Sequence, residues 1–505
     1  MIKYSSNKQI SIKEFTLPFG GELCEDNRWV KLANNLPWDE MVSIYAKNMS
    51  MKMGRVAISP RAAIGAIIIK HMKKLTDEDT VDEIRENPYL QYFLGFKGYN
   101  YRKPFTPSLF VSFRRRLGES EFEELSELFS SYAEKTDKKK RHNVAKEKKE
   151  DNNSTSNQKP EETNKGHLIV DATVSPADIK YPTDLDLLND AREKSELLID
   201  LLYVPEKGKL KPRSYRRIAR KQYLSASKIK KKSKKTVRKV IGQQLRYLRR
   251  NLKILEKMLD GKGMQCFPLE HKYQKVYWVI QELFRQQMYM YESRSHQVDH
   301  RIVSISQPHV RPIVRGKSGR EVEFGAKISV SLVGGYSYLH RISWDAYNES
   351  TDLKDQIESY RERFGNYPKW VSADKIYGTR ENRAYMKVRN IRYSGVQLGR
   401  PGALTQALKE ELKERKRHNR QRSRVEGKFG EGKRKYDLGL VKAKKSDTSE
   451  SWIGAVFFVM NIAHYLRVIF LSFLQDGHNR LNIIKNIEMN GYMISPDGMV
   501  LYHDE

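Results

Sequence analysis

Three carboxylates stand in settings that call for compensation. Asp171 interrupts the apolar run HLIVDATV (167–174), Asp374 ends the run WVSAD (370–374), and Glu426 lies in RHNRQRSRVEGKFGEGKRK (417–435), which reads as a strongly basic helix. An acid in a strand-like apolar run costs stability unless something offsets it. Gathered at one point, three such groups repel one another and raise one another's pKa values. A divalent cation removes that repulsion, and oxygen ligands with bound water suit Mg2+. Two such ions about 3.5–4 Å apart activate an attacking oxygen and stabilise the leaving oxygen of an in-line phosphoryl displacement. The expected chemistry is therefore metal-assisted reaction of a phosphate, with Asp171, Asp374 and Glu426 as ligands of two Mg2+ ions and Mn2+ as the alternative. Asp345, also at a strand end, is the rival for the second acid. Asp178, Asp184 and Asp186 read as the approach to a helix capped by Thr183 or Asp184, and His167 and His464 read as packing residues.

The charge balance indicates the substrate. The chain carries 94 Lys and Arg against 62 Asp and Glu, a net charge of +32. Such a field attracts polyanions, and cation–phosphate contacts gain free energy from counterion release. Residues 207–257 hold 21 Lys and Arg against one acid, Glu256. Arg114, Arg115 and Arg116 form a second basic cluster, and Lys375 and Arg380 flank Asp374. Each is a candidate DNA-phosphate contact, with ordinary surface charge as the other reading. The two cysteines, Cys24 and Cys266, form no CxxC pair, so neither a zinc ribbon nor a disulfide framework is supported and a reducing compartment is expected. One run, 452–474, is membrane-like in composition, but Asn461, His464 and Arg467 interrupt it. It is expected to be a buried helix, with no membrane partner.

The elements that must position these residues follow from periodicity. Residues 1–134 read as helices, including 60–75, 80–96 and 106–129, and as a separate all-α N-terminal domain. Residues 135–166 hold almost no apolar residue and read as a charged flexible linker. The first strand falls in 167–180 and a mostly helical basic insertion in 181–320. Within it, Val240, Leu245, Leu248, Leu252, Leu255 and Leu259 form an apolar stripe backed by cations. Residues 321–475 hold the remaining core: two strands joined at Gly334–Gly335 (a hairpin signal), a helix ended by Gly365, the strand before Asp374, a short helix, a strand at 391–399, and the basic helix carrying Glu426. Residues 476–505 read as a C-terminal tail. Without the insertion this order is a mixed α/β sheet reached by helical crossovers.

The order and setting of the three acids resemble the DDE transposases of bacterial insertion sequences, most closely the group related to IS5 and IS1182 elements. The resemblance rests on DATVSPADIKYPTDLDLLNDA (171–191), SADKIYGTRENRAY (372–385) and RSRVEGKFGEGKRKYDLG (422–439), and on PYLQYFLG (88–95) followed by PFTPSLFVSFRRRLG (104–118). Arg422, Glu426 and Lys433 match the R-x3-E-x6-K part of the motif Y-x2-R-x3-E-x6-K of IS4-type relatives; Asn419 stands where that motif has tyrosine. Offsets of four and seven bring these residues near one helical face, so that Arg422 and Lys433 can hold phosphates beside Glu426. The resemblance implies a ribonuclease H-like catalytic core and an enzyme that cleaves DNA at the ends of its own element and joins them to target DNA. It further implies double-stranded DNA as partner, both terminal inverted repeats and target, with the N-terminal helices (as a DNA-binding or assembly domain) and the basic insertion helping to recognise the repeats. A homodimer or larger synaptic assembly and a place in the prokaryotic cytoplasm, on the nucleoid, are also implied. A ribonuclease H-like nuclease that joins no strands and an inactive transposase-derived DNA-binding protein are the alternatives.

Overall fold

In a computed structural model of the chain, residues 9–47, 49, 57–146, 164–205, 210–231, 233–260, 267–314, 322–399, 405–489, 492–494 and 500–502 are described. The N-terminal helices are α1 (Arg28–Asn35), α2 (Trp38–Ala46), α3 (Pro60–Lys73), α4 (Asp77–Glu86), α5 (Pro88–Phe93), α6 (Leu109–Arg116) and α7 (Glu119–Lys146). Local chemistry sets their starts. Pro60 and Pro88 occupy first-turn positions whose N–H needs no intrahelical partner, and the Thr76 and Asn87 side chains accept from the free N–H groups of α4 and α5. α7 runs through residues 135–146 of the charged stretch; residues 147–163 lie outside the described residues.

The sheet begins with β1 (His167–Pro176). The insertion follows as α8 (Asp184–Leu202), α9 (Arg216–Ser227), α10 (Lys234–Asp260) and α11 (His271–Ser293). The chain then returns through β2 (Arg311–Val314), β3 (Val322–Val333), β4 (Tyr336–Ser343), α12 (Leu353–Phe364), β5 (Trp370–Ser372), α13 (Arg380–Val388), β6 (Arg392–Tyr393), α14 (Gln406–Gln421), α15 (Ser423–Lys435) and α16 (Ser446–Met489). A short hairpin, β7 (Tyr492–Ile494) with β8 (Val500–Tyr502), lies apart from the sheet. Strands run in the order β2-β3-β1-β5-β6, with β4 also paired to β3. β1 is antiparallel to β3 and parallel to β5, and β5 is parallel to β6, so the sheet is mixed as expected. Gly334 (φ 59°) and Gly335 (φ 94°) make the β3–β4 turn in the left-handed region that favours glycine. The strand expected over 391–399 is only two residues long.

Alternation along the strands sorts the two faces. Leu168 and Val170 pack with Val371, Ala373 and the α12 residues Leu353 and Ile357. Ile169, Ile328, Val330 and Leu332 pack with Val425 and Phe429 of α15 and with α16. The N-terminal helices share their hydrophobic core with the sheet. α16 is buried on all sides from Trp452 to Ile462 and packs on α3, α6, α7 and β4, so that one hydrophobic core runs from the N-terminal helices to the sheet. A helix apolar all round has no solvent face to offer and must be enclosed. By length and composition Ser446–Val468 also passes as a membrane span, but it lies mostly inside the protein. The insertion, in contrast, has its own core. Leu188, Leu198 and Ile199 of α8 meet Leu245, Leu248, Leu252 and Leu255 of α10 and Ile280 and Leu283 of α11. The predicted apolar stripe is buried, while Arg246, Arg249, Arg250, Lys253 and Lys257 are exposed.

A candidate active site at the ends of two parallel strands

Register brings the two aspartates together. Ile169 of β1 is paired with Ser372 of β5 in the parallel ladder. Asp171 and Asp374 each lie two residues further on, where the ladder has ended. Asp171 faces Val330 across the antiparallel β1–β3 pair, and the β3–β4 register shifts between Ser329 and Val330. Such irregularities re-aim side chains. The Asp171 carboxylate accepts the Ala172 N–H at 2.9 Å. Asp374 is exposed and caps a 3-10 turn, Lys375–Tyr377, its carboxylate accepting the Lys375 N–H at 2.7 Å.

Glu426 arrives from α15. Val425 and Phe429 bury one side of that helix against the sheet. Gly427, Gly430 and Gly432, residues that weaken helices, leave it unbroken from Ser423 to Lys435. Gly432 serves a close approach, since a Cβ there would stand 3.1 Å from both Leu438 and the Met460 sulfur. The break falls instead at Arg422, between α14 and α15. The result is one cleft of about 600 Å³ whose lining includes Asp171, Asp374, Glu426, Arg422 and Lys433. Five residues singled out by type and spacing thus share one cavity wall.

The electrostatics are those of an acid-rich, partly desolvated pocket. Burial pushes the Asp171 carboxyl up to about 6; the Ala172 N–H opposes this, Glu349 adds to it, Arg422 opposes it, and Asp374 adds to it. Two ion pairs offset the negative charge. Arg422 Nη1 lies 3.1 Å from Glu426 Oε1, and Lys327 Nζ lies 2.8 Å from Glu349 Oε2. Among the described residues, no three His, Cys, Asp or Glu side chains are grouped closely enough to hold an ion together. The expected convergence therefore holds for the cleft and not for the side-chain positions. Unscreened carboxylates repel, and Glu426 is drawn to its own helix neighbour. The donor set, all carboxylate oxygen with cations at its edge, fits a hard divalent ion and a phosphate.

The other predicted contacts divide. Arg114 is corrected from a phosphate contact to an internal ion pair. It is 8% exposed and grips Asp77 with both guanidinium nitrogens, at 3.0 and 2.7 Å, beside Lys70. Burial forces such a cation to find an internal partner. Arg116 donates to the Tyr45 hydroxyl at 3.0 Å, and Arg115 lies 3.7 Å from Asp447. Lys375 and Arg380 are exposed beside Asp374 but do not line the cleft. Asp345 is turned to His300 and Arg311, at 3.4 and 3.5 Å, and is no part of the cleft. Thr183 caps α8 as expected. His167 is bonded to Gln421 and Ser372 at 2.9 and 2.7 Å, which suits a packing role. Glu349 and Lys327 of the cleft were missed. Glu349 follows a strand in a polar turn, YNESTD, and no spacing marks it.

Comparison with known proteins gives two family matches. The family described as "Transposase DDE domain" matches residues 371–463, which include Asp374, Arg422, Glu426 and Lys433. The family described as "Transposase domain (DUF772)" matches residues 19–116, the helices α1 to α6. The two matches in this order are the signature of IS1182-like DDE transposases. A DDE transposase domain in turn implies a polynucleotidyl transferase or nuclease with a ribonuclease H-like core. Among curated proteins, the chain is similar to "Uncharacterized protein ORF8 in nfe locus" of Rhizobium meliloti, 29% identical over 155 residues. That match covers 31% of this chain and 64% of the relative's length. No solved structure matches. Asp171 and the insertion lie outside both matched families.

Proposed function

We propose that the protein is the transposase of an insertion sequence, cleaving DNA at the element's ends and joining the ends to target DNA. The observation that carries this reading is the shared cleft of Asp171, Asp374, Glu426, Arg422 and Lys433. Asp171, Asp374 and Glu426 are the residues that would hold two Mg2+ ions, which when bound supply an activated attacking oxygen and charge stabilisation for the leaving oxygen. Arg422 and Lys433 hold the phosphates that flank the scissile bond, with Arg422 exchanging Glu426 for phosphate when DNA enters. Asp171, poised near pH 6 by burial, must lose its proton before it serves as a ligand. The exposed cations of α10 give the duplex a sequence-independent hold. The assembly that aligns two ends is a homodimer or larger.

Strand joining separates this reading from that of a nuclease. Full-length protein is incubated with Mg2+, a pre-cut duplex ending in the element's inverted repeat, and a target plasmid. Joined products are expected. Hydrolysis of uncut ends without any joining would assign the protein to the nucleases instead.

A further inference from the structure

Glu349 shares the cleft with the three acids but comes from an element of its own, the 3-10 turn Glu349–Asp352 between β4 and α12. That turn is fixed. The Asn348 side chain accepts the Ser350 N–H at 3.1 Å. Asn382, itself buried, donates to the carbonyls of Ser350 and Tyr377 at 2.8 and 3.0 Å. One amide thus ties the turn carrying Glu349 to the turn that follows Asp374. The Glu349 side chain is 16% exposed and its carboxylate is met by Lys327, which also donates to the Tyr347 carbonyl at 2.9 Å. Lys327 stands opposite Val174 on β1, three residues beyond Asp171.

Two observations place Glu349 with the acids. It lines the same cleft as Asp171 and Asp374, on a turn that Asn382 ties to the turn after Asp374. On that second turn, the Tyr377 hydroxyl is fully buried and has no hydrogen-bond partner among the described residues. A buried hydroxyl without a partner is costly, and an ion or water taken up beside it is one way such a cost is met. We propose that Glu349 is a fourth carboxylate of the cation-binding set, with Lys327 as its counter-ion while no divalent cation is bound. This rests on the reading of the cleft as a metal site.

The test is Mn2+ binding to the full-length protein without DNA, measured by titration calorimetry. Wild type, Glu349→Gln, Lys327→Met and Asp374→Asn are compared, with thermal melting as the check of folding. Glu349→Gln is expected to weaken Mn2+ binding by roughly 10–100-fold, and Lys327→Met to strengthen it. Should Glu349→Gln fail to fold, Glu349→Asp, which keeps the charge facing Lys327, takes its place with a smaller loss expected. Wild-type affinity in the Glu349 variant with a loss in Asp374→Asn overturns the role of Glu349 and leaves the proposed function standing. Wild-type affinity in both variants overturns the two together.

Discussion

Arg422 and Glu426, one helical turn apart, form an ion pair across the break between α14 and α15, at 3.1 Å. The pair uses the residue that would hold a phosphate to neutralise the residue that would hold a cation. Under the proposed function DNA and metal are therefore coupled, because phosphate drawing Arg422 away leaves Glu426 free. Arg422→Met is expected to raise the Mn2+ affinity of DNA-free protein about two- to fivefold, the worth of a partly exposed ion pair. It is also expected to lower the slope of log affinity for DNA against log salt by about one. Calorimetry and a salt series measure the two effects. An unchanged Mn2+ affinity contradicts the coupling.

The Asp171 carboxyl gives the cation-free protein a signature in pH. Its folded pKa of about 6 lies above the ordinary 3.8, so the folded state binds more protons than the unfolded state between those values. Stability from this group is full below pH 4 and is lost as pH rises through 6. Asp171→Asn removes the cost of the ionised form. In chelator, the variant is expected to be more stable than wild type by of order 2–3 kcal/mol at pH 8 and nearly equal to it at pH 4. Melting curves at the two pH values decide this, and equal stabilities at pH 8 contradict it.

Arg114, placed in an internal ion pair, is expected to matter for stability and not for DNA. Arg114→Met strands Asp77 with only Lys70 beside it. Breaking such a pair costs about 3–5 kcal/mol. Denaturant unfolding is expected to show that loss, with DNA affinity at low temperature unchanged. Weakened DNA binding by folded variant would return Arg114 to the DNA surface.

The outward cations of α10 carry the opposite expectation. Arg246→Ala and Lys253→Ala remove exposed charge from a helix whose other side is packed into the insertion core. Stability is expected to stay within about 0.5 kcal/mol of wild type. Each substitution is expected to lower the DNA salt slope by about one, equally for element-end and unrelated duplexes. A loss confined to element-end DNA would mean that these residues read sequence.

Much of this was legible in the sequence because period and charge carry local information. The stripe of α10, the Gly334–Gly335 turn, the Gly365 stop and the strand ends holding Asp171 and Asp374 each depend on neighbouring residues. Tertiary partners were not legible. Arg114 looks like any helix-end cation until Asp77 is seen to enclose it, and three adjacent arginines gave no hint which would face inward. Glu349 carries no pattern, because its place in the cleft is set by the β3–β4 hairpin and by the Asn382 bridge to a turn 27 residues away. The continuity of the N-terminal helices with the sheet was hidden for the same reason: 452–462 reads as apolar, but not as apolar toward what.

The central claim is that Asp171, Asp374 and Glu426 act together on DNA. Its most direct test is cleavage, under Mg2+, of a duplex carrying the element's terminal inverted repeat, by wild type and by Asp171→Asn, Asp374→Asn and Glu426→Gln, with DNA binding measured in parallel. Each variant is expected to bind the duplex and leave it uncut. Cleavage by folded Asp374→Asn at the wild-type rate would contradict the claim.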